Sequence, residues 1–254
     1  MHRRFTFCKH CSVALFLFSV FVAPTRAQVD QPDPCADHVA HMSPRQHEHS
    51  RLYSDHTTGK DLCALAKDAK EKDSKEDVEV HVIVIREHAF PGPEVPPPPR
   101  YPHPYLVSAA RGADAVILGV MKSKASAITR DRGFVFTDFQ MNIVEVIKDN
   151  AKAPVGIGSD ITVTRPGGTL EILGKKVRAS DDSFKPFQLG GQYVLFLEYI
   201  PATGAYRAYA EQSFQLLPNG MAKLTTNQAI NLAESRGDAQ RFLNEVRAAV
   251  MLLR

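Results

Sequence analysis

The amino-acid sequence predicts a mainly β protein: a small antiparallel β-barrel with a C-terminal α-helix, preceded by a weakly ordered appendage. Between residues 113 and 224, short apolar segments alternate with turns that contain Gly and Pro, a spacing typical of antiparallel barrels and sandwiches. One longer segment changes the parity of its apolar residues, as a bulged strand does. The last segment of the chain has the apolar period of an amphipathic helix.

The segment Phe134–Ile147 organises the predicted barrel. From Phe139 to Ile143 its apolar residues occupy odd positions, and the parity then changes at Val144 and Val146. A strand that keeps one buried face across this change needs one extra residue, which is a β-bulge near Ile143–Val144. A bulge bends the strand, and small barrels need bent strands in order to close. We therefore expect a single interior to receive Phe139, Met141, Ile143, Val144 and Val146.

The other elements follow from similar patterns. Tyr105–Gly112 is predicted as a short helix, and Asn219-Gly220 is a strong hairpin signal. Asp238 is the predicted N-cap of a helix whose apolar face carries Phe242, Leu243, Val246, Val250 and Leu253. Further strands are predicted at Ala113–Met121, Asp160–Arg165, Thr169–Leu173, Gly174–Arg178, Gln192–Tyr199, Tyr206–Ala210, Phe214–Leu217 and Met221–Leu224, with a loop at Ala179–Gly191.

The first 27 residues have the parts of a secretory signal peptide. Basic residues open the chain, an apolar run extends from Val13 to Ala23, and small residues precede Gln28. We expect cleavage after Ala27 and a secreted or periplasmic mature protein. An uncleaved membrane anchor is the alternative, for which the apolar run is short. After cleavage we expect no stable membrane insertion.

Removal of the signal changes the charge of the chain. Arg3, Arg4, Lys9 and Arg26 leave with it and no acidic residue does, so the formal net charge falls from +3 to −1. The basic character of the sequence therefore belongs mainly to the targeting segment, and we expect no nucleic-acid binding.

Two cysteines remain after the signal, Cys35 and Cys63. In an oxidising compartment the simplest outcome is one disulfide between them. The alternative is a pair of unpaired thiols in a poorly ordered region.

The predicted domain organisation has three parts after the signal. Residues 28–90 form a polar, His-rich appendage with one short helix from Asp61 to Lys72 and one strand from Asp77 to Glu87. Residues 91–104 contain eight prolines in fourteen positions, which predicts a semi-rigid polyproline II spacer. Residues 105–254 form the barrel and its C-terminal helix.

The appendage carries the candidate metal ligands His38, His41, His47 and His49. Neutral imidazole nitrogens suit Zn²⁺ and Cu²⁺, so a metal-handling protein is one hypothesis. The spacing fits no ordered site, and a solvated His-rich segment that binds no metal is the alternative. No other cofactor is indicated.

The later part of the chain carries six motifs in this order: Ala113–Val120, Phe139–Ile143, Val144–Lys148, Gly158–Val163, Pro166–Gly168 and Phe187–Leu197. Their order is similar to that of a group of uncharacterised exported bacterial proteins. These resemble the OB-type barrels of the tissue-inhibitor-of-metalloprotease and netrin-like class. The resemblance spans about Ala113–Leu224 and implies a small OB-like barrel.

The inhibitor class presents an amino-terminal cysteine to the zinc of the protease. Here the expected mature start is Gln28, and Cys35 lies in the appendage. The resemblance therefore implies architecture and gives protease inhibition no support.

On the predicted barrel, Arg165, Gly167 and Gly168 are the candidate ligand-binding residues. Paired glycines let a ligand or another backbone approach closely, although a turn between strands explains them as well. We expect a ligand to meet the barrel near Pro166–Gly168 and Ala179–Gly191.

The leading hypothesis is an exported, non-enzymatic binding or interaction module for an unknown protein or small molecule. The alternatives are metal handling, a protease-inhibitor-like barrel and an unrecognised hydrolase, whose site would join a His to a Ser or a carboxylate. No catalytic residue is predicted: Ser180–Ser183 is assigned to a loop with no nearby His, and residues 105–254 contain no histidine at all.

Overall fold

The computed structural model describes residues 33, 35–56, 59–72, 77–82, 102–225 and 238–254. These residues are mainly β, with 43% in strands and 27% in helices, and they include a C-terminal helix. The helices are α1 (Ala36–Ala40), α2 (Pro44–Leu52), α3 (Leu62–Glu71), α4 (Pro104–Gly112) and α5 (Ala239–Met251), with a 3-10 turn at Ser54–His56. The strands are β1 (Val78–Val82), β2 (Ala115–Ile128), β3 (Val135–Lys148), β4 (Asp160–Pro166), β5 (Gly168–Ile172), β6 (Lys175–Asp181), β7 (Gln192–Ile200), β8 (Ala205–Leu216) and β9 (Ala222–Leu224).

Six strands form the larger sheet, in the order β4-β3-β2-β7-β8-β9. Strand β4 also pairs in parallel with β8, through Val163 opposite Tyr206 and Thr164 opposite Arg207. This additional pairing makes the sheet ring-like. The segments predicted as separate strands at Tyr206–Ala210 and Phe214–Leu217 are one continuous strand, β8.

The predicted bulge in β3 is confirmed, and its position corrects one side-chain assignment. The register between β2 and β3 shifts between Leu118 and Gly119, where Glu145 and Ile143 are the successive partners and Val144 is left over. Phe139, Met141 and Ile143 are buried in the ring interior, and Val146 packs against them. Val144 is 42% exposed. Its expected inward orientation is wrong because the unpaired residue of a bulge is the one that leaves the alternation.

The outer face of the ring is covered by two helices. The predicted helices at Tyr105–Gly112 and after Asp238 are confirmed as α4 and α5, and the Asp238 side chain accepts hydrogen bonds from the backbone N–H groups of Gln240 and Arg241. The α5 stripe of Phe242, Leu243, Val246 and Val250 is buried together with α4 and the outward residues of β2, β7 and β8. Arg247 donates two hydrogen bonds to the Glu145 carboxylate, at 2.8 and 2.7 Å, and so fixes α5 to β3.

The smaller sheet has the order β1-β6-β5. The predicted hairpin of β5 and β6 is present, and β1 pairs with β6 in parallel. Strand β6 extends to Asp181, so the segment predicted as a loop from Ala179 begins three residues later, at Asp182.

The described residues before β1 form three helices and a 3-10 turn, where the sequence predicts one helix. The predicted helix is α3, capped by Asp61. These helices share one buried cluster with the end of the β2–β3 hairpin and with the smaller sheet. Cys35 and Cys63 form the predicted disulfide, with their Cα atoms 6.0 Å apart. The cluster includes Tyr53, Leu62, Phe134, Phe136 and Val177.

Several expectations fall outside the described residues: the signal peptide, residues 83–87 of the predicted first strand, and most of the proline spacer. Among the helices that the structure describes, none has the length and apolar character required to cross a membrane.

Replacing both Cys35 and Cys63 by Ala is expected to lower the free energy of unfolding by about 3 kcal/mol, because the bridge closes a long loop in the unfolded chain. Chemical denaturation of the oxidised protein and the double variant measures the difference. The single variant Ser54→Ala, at an exposed hydroxyl in the same segment, is the control. Equal stability of the double variant and the oxidised protein would contradict the expectation.

Candidate functional site

A cleft of about 290 Å³ lies where the smaller sheet meets one end of the ring interior. We call it the cationic cleft. Phe139, Phe184 and Phe187 form its aromatic floor and belong to the buried interior of the ring. The rest of its lining is Lys124, Ser126, Thr137, Arg165, Gly167, Gly168, Thr169, Lys176, Arg178, Ala179, Ser180 and Pro186.

Four basic side chains and no carboxylate line the cationic cleft. Lys124 on β2 and Lys176 on β6 are exposed, and neither is in an ion pair with any residue that the structure describes. Arg178 has one partner, Glu79, at 3.6 Å. The cleft therefore presents a net positive charge to a ligand.

Arg165, predicted as a ligand-binding residue, lies in the wall of the cleft and is 3% exposed. Its guanidinium donates hydrogen bonds to the backbone carbonyls of Pro166 (2.9 Å), Lys185 (2.7 Å) and Phe184 (2.8 Å). The guanidinium carbon also lies 3.9 Å from the centre of the Phe184 ring. Burial lowers the pKa of Arg165 to about 10. Arg165 thus joins β4 to the segment that carries the aromatic floor.

The two predicted glycines line the same cleft, and each is required by backbone geometry or packing. Gly167 has a φ of +86°, in the left-handed region that favours glycine. A Cβ atom on Gly168 would lie 2.3 Å from Thr137 Oγ1 and 2.8 Å from Ser126 Oγ. The glycines therefore allow β5 to pass close to the β2–β3 pair. The structure brings Arg165, Gly167 and Gly168 together with the segment that follows Ala179.

Beside the cleft, His81 faces Ser180 across the β1–β6 pairing. The expectation that Ser180–Ser183 has no nearby His is wrong, because parallel pairing joins segments that are far apart in the chain. His81 Nδ1 lies 3.0 Å from Asp182 Oδ1 and 2.9 Å from Ser180 Oγ, and Nε2 lies 3.5 Å from Glu79. Its hydrogen bond with Asp182 raises the pKa of His81. The same ring nitrogen, Nδ1, thus contacts both the Asp182 carboxylate and the Ser180 hydroxyl.

A second polar arrangement involves His49, one of the predicted metal ligands. His49 is fully buried. Its Nδ1 lies 2.8 Å from Asp138 Oδ1, and its Nε2 lies 3.0 Å from Thr203 Oγ1. A hydroxyl, an imidazole and a carboxylate in this order resemble a nucleophile with its base, but no substrate can approach a ring without exposed surface. The arrangement acts as a cross-link between α2, β3 and the β7–β8 turn.

The four histidines predicted as metal ligands do not converge. His38 and His41 line a shallow groove of about 210 Å³ next to the end of β2. His47 Nδ1 accepts a hydrogen bond from Arg130, and His49 is engaged as described above. Within the described ranges there is no group of three His, Cys, Asp or Glu side chains placed to hold a metal ion.

Of the four basic side chains of the cleft, sequence reasoning found only Arg165. Lys124, Lys176 and Arg178 are single basic residues on strands, and they resemble any other solvent-facing charge. Asp138 and Thr203 are 89 and 154 residues from His49, so no local spacing connects them. The one signal was Asp138 itself, a carboxylate within an otherwise apolar strand.

Comparison of the sequence with protein-family models and with curated proteins gives no match.

Changing Asp138 to Asn is expected to destabilise the protein by about 1–3 kcal/mol, because the buried His49 ring loses its charged acceptor. Thermal or chemical denaturation measures the loss. His47→Ala, at a neighbouring half-exposed histidine, should change stability much less. If both variants unfold at the same denaturant concentration as the parent protein, His49 does not act as a cross-link.

Changing Asp182 to Asn is expected to lower the pKa of His81, because the hydrogen bond with Asp182 is the main cause of its increase. A histidine whose pKa is higher in the folded than in the unfolded state stabilises the protein. This stabilisation is complete below the unfolded-state pKa of about 6.5 and is lost as the pH rises through the folded-state pKa. NMR titration of the His81 ring in the two proteins tests this. Lys185→Ala, which leaves the Asp182 carboxylate in place, is the control.

Proposed function

We propose that this chain is an exported, non-enzymatic binding module, secreted or periplasmic, that holds an anionic ligand in the cationic cleft. The observation that supports this most directly is the lining of the cleft: four basic side chains, no carboxylate and three Phe rings. The anionic part of a ligand would meet Lys124 and Lys176, and an apolar part would lie against the rings. Hydroxyl groups of Thr169 and Ser180 supply further polar contacts.

We also propose that the ring-like sheet is an OB-like barrel, similar to the tissue-inhibitor-of-metalloprotease and netrin-like class. The pairing of β4 with β8 and the bulges of the β2–β3 pair support closure. The position of the cleft at one end of the ring agrees with the tendency of barrels to bind ligands at their mouths. Protease inhibition has no support from the site, because Cys35 is fully buried and bonded to Cys63.

The metal-handling alternative rests on His38 and His41, which line one groove together with Asp37. It has less support than anion binding, because the other two predicted ligands have other partners. The hydrolase alternative has two candidate arrangements, at His49 and at His81. In the first the ring is buried. In the second the same ring nitrogen contacts both Ser180 and Asp182, whereas a nucleophile and an orienting carboxylate need one ring nitrogen each, so neither supports a nucleophile.

Anion binding is tested with a hexaglutamate peptide and inorganic phosphate as probes, and with hexalysine as the charge control. We expect hexaglutamate to shift the amide NMR signals of residues in the cationic cleft, because the positive charge that attracts the peptide is concentrated there. The double variant K124E/K176E should lose the effect.

Lys152→Glu is the matched control, since Lys152 is also exposed and follows the opposite end of β3. Hexaglutamate binding that is equal in the parent and K124E/K176E proteins, or binding to no variant at all, would reject the cationic cleft as an anion site. Recovery of bound ligand with protein purified from its native envelope fraction gives independent information on the ligand.

A further inference from the structure

Five consecutive residues in the middle of β2 are more exposed than the rest of the strand. Lys122, Ser123, Lys124 and Ala125 are exposed and Ser126 is half-buried, whereas Met121 and Ala127 on either side are buried. A strand with one covered face alternates between buried and exposed residues. Continuous exposure means that both faces and one edge of this segment are open.

The pairing of β2 explains the open edge. Residues 115–120 of β2 pair with β7, but from Ser123 onwards β2 pairs only with β3 among the strands that the structure describes. Strand β5 comes close to the Ser126 side chain at Gly168 without pairing with β2. The edge from Ser123 to Ser126 is therefore a sheet edge without a neighbouring strand in the described part of the chain.

The hydrogen bonds at the end of the β2–β3 hairpin show which backbone groups face this edge. Thr129 N–H donates to the Phe134 carbonyl, and these two residues are directly opposite in the register of the hairpin. In an antiparallel pair, hydrogen-bonded and non-hydrogen-bonded positions alternate. Ala127, Ala125 and Ser123 are thus bonded to β3, and the N–H and C=O groups of Lys124 and Ser126 point to the open edge.

The hollows on both faces of the edge differ in chemistry. The cationic cleft lies on the face of Lys124 and Ser126. On the other face, Ser123 and Ala125 line a second hollow of about 290 Å³ with Arg45, Gln140 and Thr162. A strand placed along the edge would direct alternate side chains into these two hollows.

We propose that the edge Ser123–Ser126 binds an extended acidic segment of a partner protein by strand addition. Backbone hydrogen bonds would join the segment to Lys124 and Ser126, and every second side chain, acidic, would enter the cationic cleft. The proposal rests on the anion-binding function of the cleft and adds the kind of ligand and its mode of binding.

Charge complementarity selects this partner. The cleft side of the edge carries Lys124, Lys176 and Arg178 and no carboxylate, so acidic side chains fit it. A second copy of this chain would bring a second set of the same cations to the interface, and like charges repel. Lysine on an edge also discourages unselective pairing with neutral strands, which agrees with a preference for an acidic one.

The test uses fluorescein-labelled peptides of alternating Thr and Glu, about eight residues long to cover the edge. In one further version every Glu is N-methylated, and in another every Thr. Along a strand, the N–H groups of successive residues point to opposite edges, just as their side chains point to opposite faces. With the Glu side chains in the cleft, only one of the two versions therefore loses the hydrogen bonds to β2. We expect that version to bind about tenfold more weakly and the other to bind like the parent peptide, as measured by fluorescence anisotropy.

A pair of protein variants provides a second measurement. Ser126→Pro removes an N–H group that faces the open edge, a position where proline is tolerated, and should weaken binding of the unmethylated peptide. Ser126→Ala, which also loses the hydroxyl but keeps the N–H, should bind the peptide more tightly than Ser126→Pro, so the difference between the two variants measures the contribution of the N–H group. Circular dichroism confirms that both variants are folded, and N-methylated peptides remain informative with the parent protein if Ser126→Pro does not fold.

Equal binding of all three peptides, with hexaglutamate still bound by the cationic cleft, would overturn strand addition and leave the proposed function in place. Failure of hexaglutamate to bind would remove the proposed function itself. A concentration-dependent dimer in sedimentation velocity that Ser126→Pro abolishes would overturn the proposal in favour of a second copy as the occupant.

Discussion

Strands β2 and β3 pair along most of their 14 residues, and three register shifts interrupt that pairing. A bulge adds twist and bends the strand that carries it. The bend lets β3 present β4 to β8, where two pairs of residues join the first strand of the sheet to the last but one. The buried interior, the covered outer face and the cleft at one end all depend on this curvature, because a flat sheet of the same strands would not bring β4 near β8.

Buried polar cross-links hold the surrounding segments to this curved pair. Arg165 satisfies three backbone carbonyls of its own strand end and of the segment that carries Phe184, and His49 joins α2 to Asp138 in β3. Both side chains are almost without exposed surface. Because a buried polar group without a partner is costly, each of these links specifies one arrangement of its neighbours. The helical segment that contains Cys35 and Cys63 therefore shares a core with the sheet.

The cleft owes its charge to the same arrangement. Arg165 is occupied by carbonyl groups, so the cations that remain available to a ligand are those of β2 and β6. Strand β5 comes close to β2 and β3 because Gly168 leaves room for the Ser126 and Thr137 side chains, and β6 is held beside β5 by their pairing. Gly167, Gly168 and Arg165 thus meet structural requirements of the fold. By doing so they also position the charged side chains of other strands.

The sequence by itself determined the features that depend on local chemistry: the bulge at Ile143–Val144, the Asp61 and Asp238 caps, the stripe on α5, the β5–β6 hairpin, and the pairing of Cys35 with Cys63. Most of these features depend on residues that are only a few positions apart. The disulfide follows from the two cysteines that remain after the signal in a protein expected in an oxidising compartment. Arg165, Gly167 and Gly168 were also found by their local pattern, although it did not show that Arg165 is enclosed. Only the tertiary structure decided that Val144 faces out, that His81 lies beside Ser180, that His49 is buried against Asp138, and that Lys124 and Lys176 share a cleft. These relations join residues far apart in the chain, and the ring-like path of the larger sheet and the packing of other segments on it bring them together.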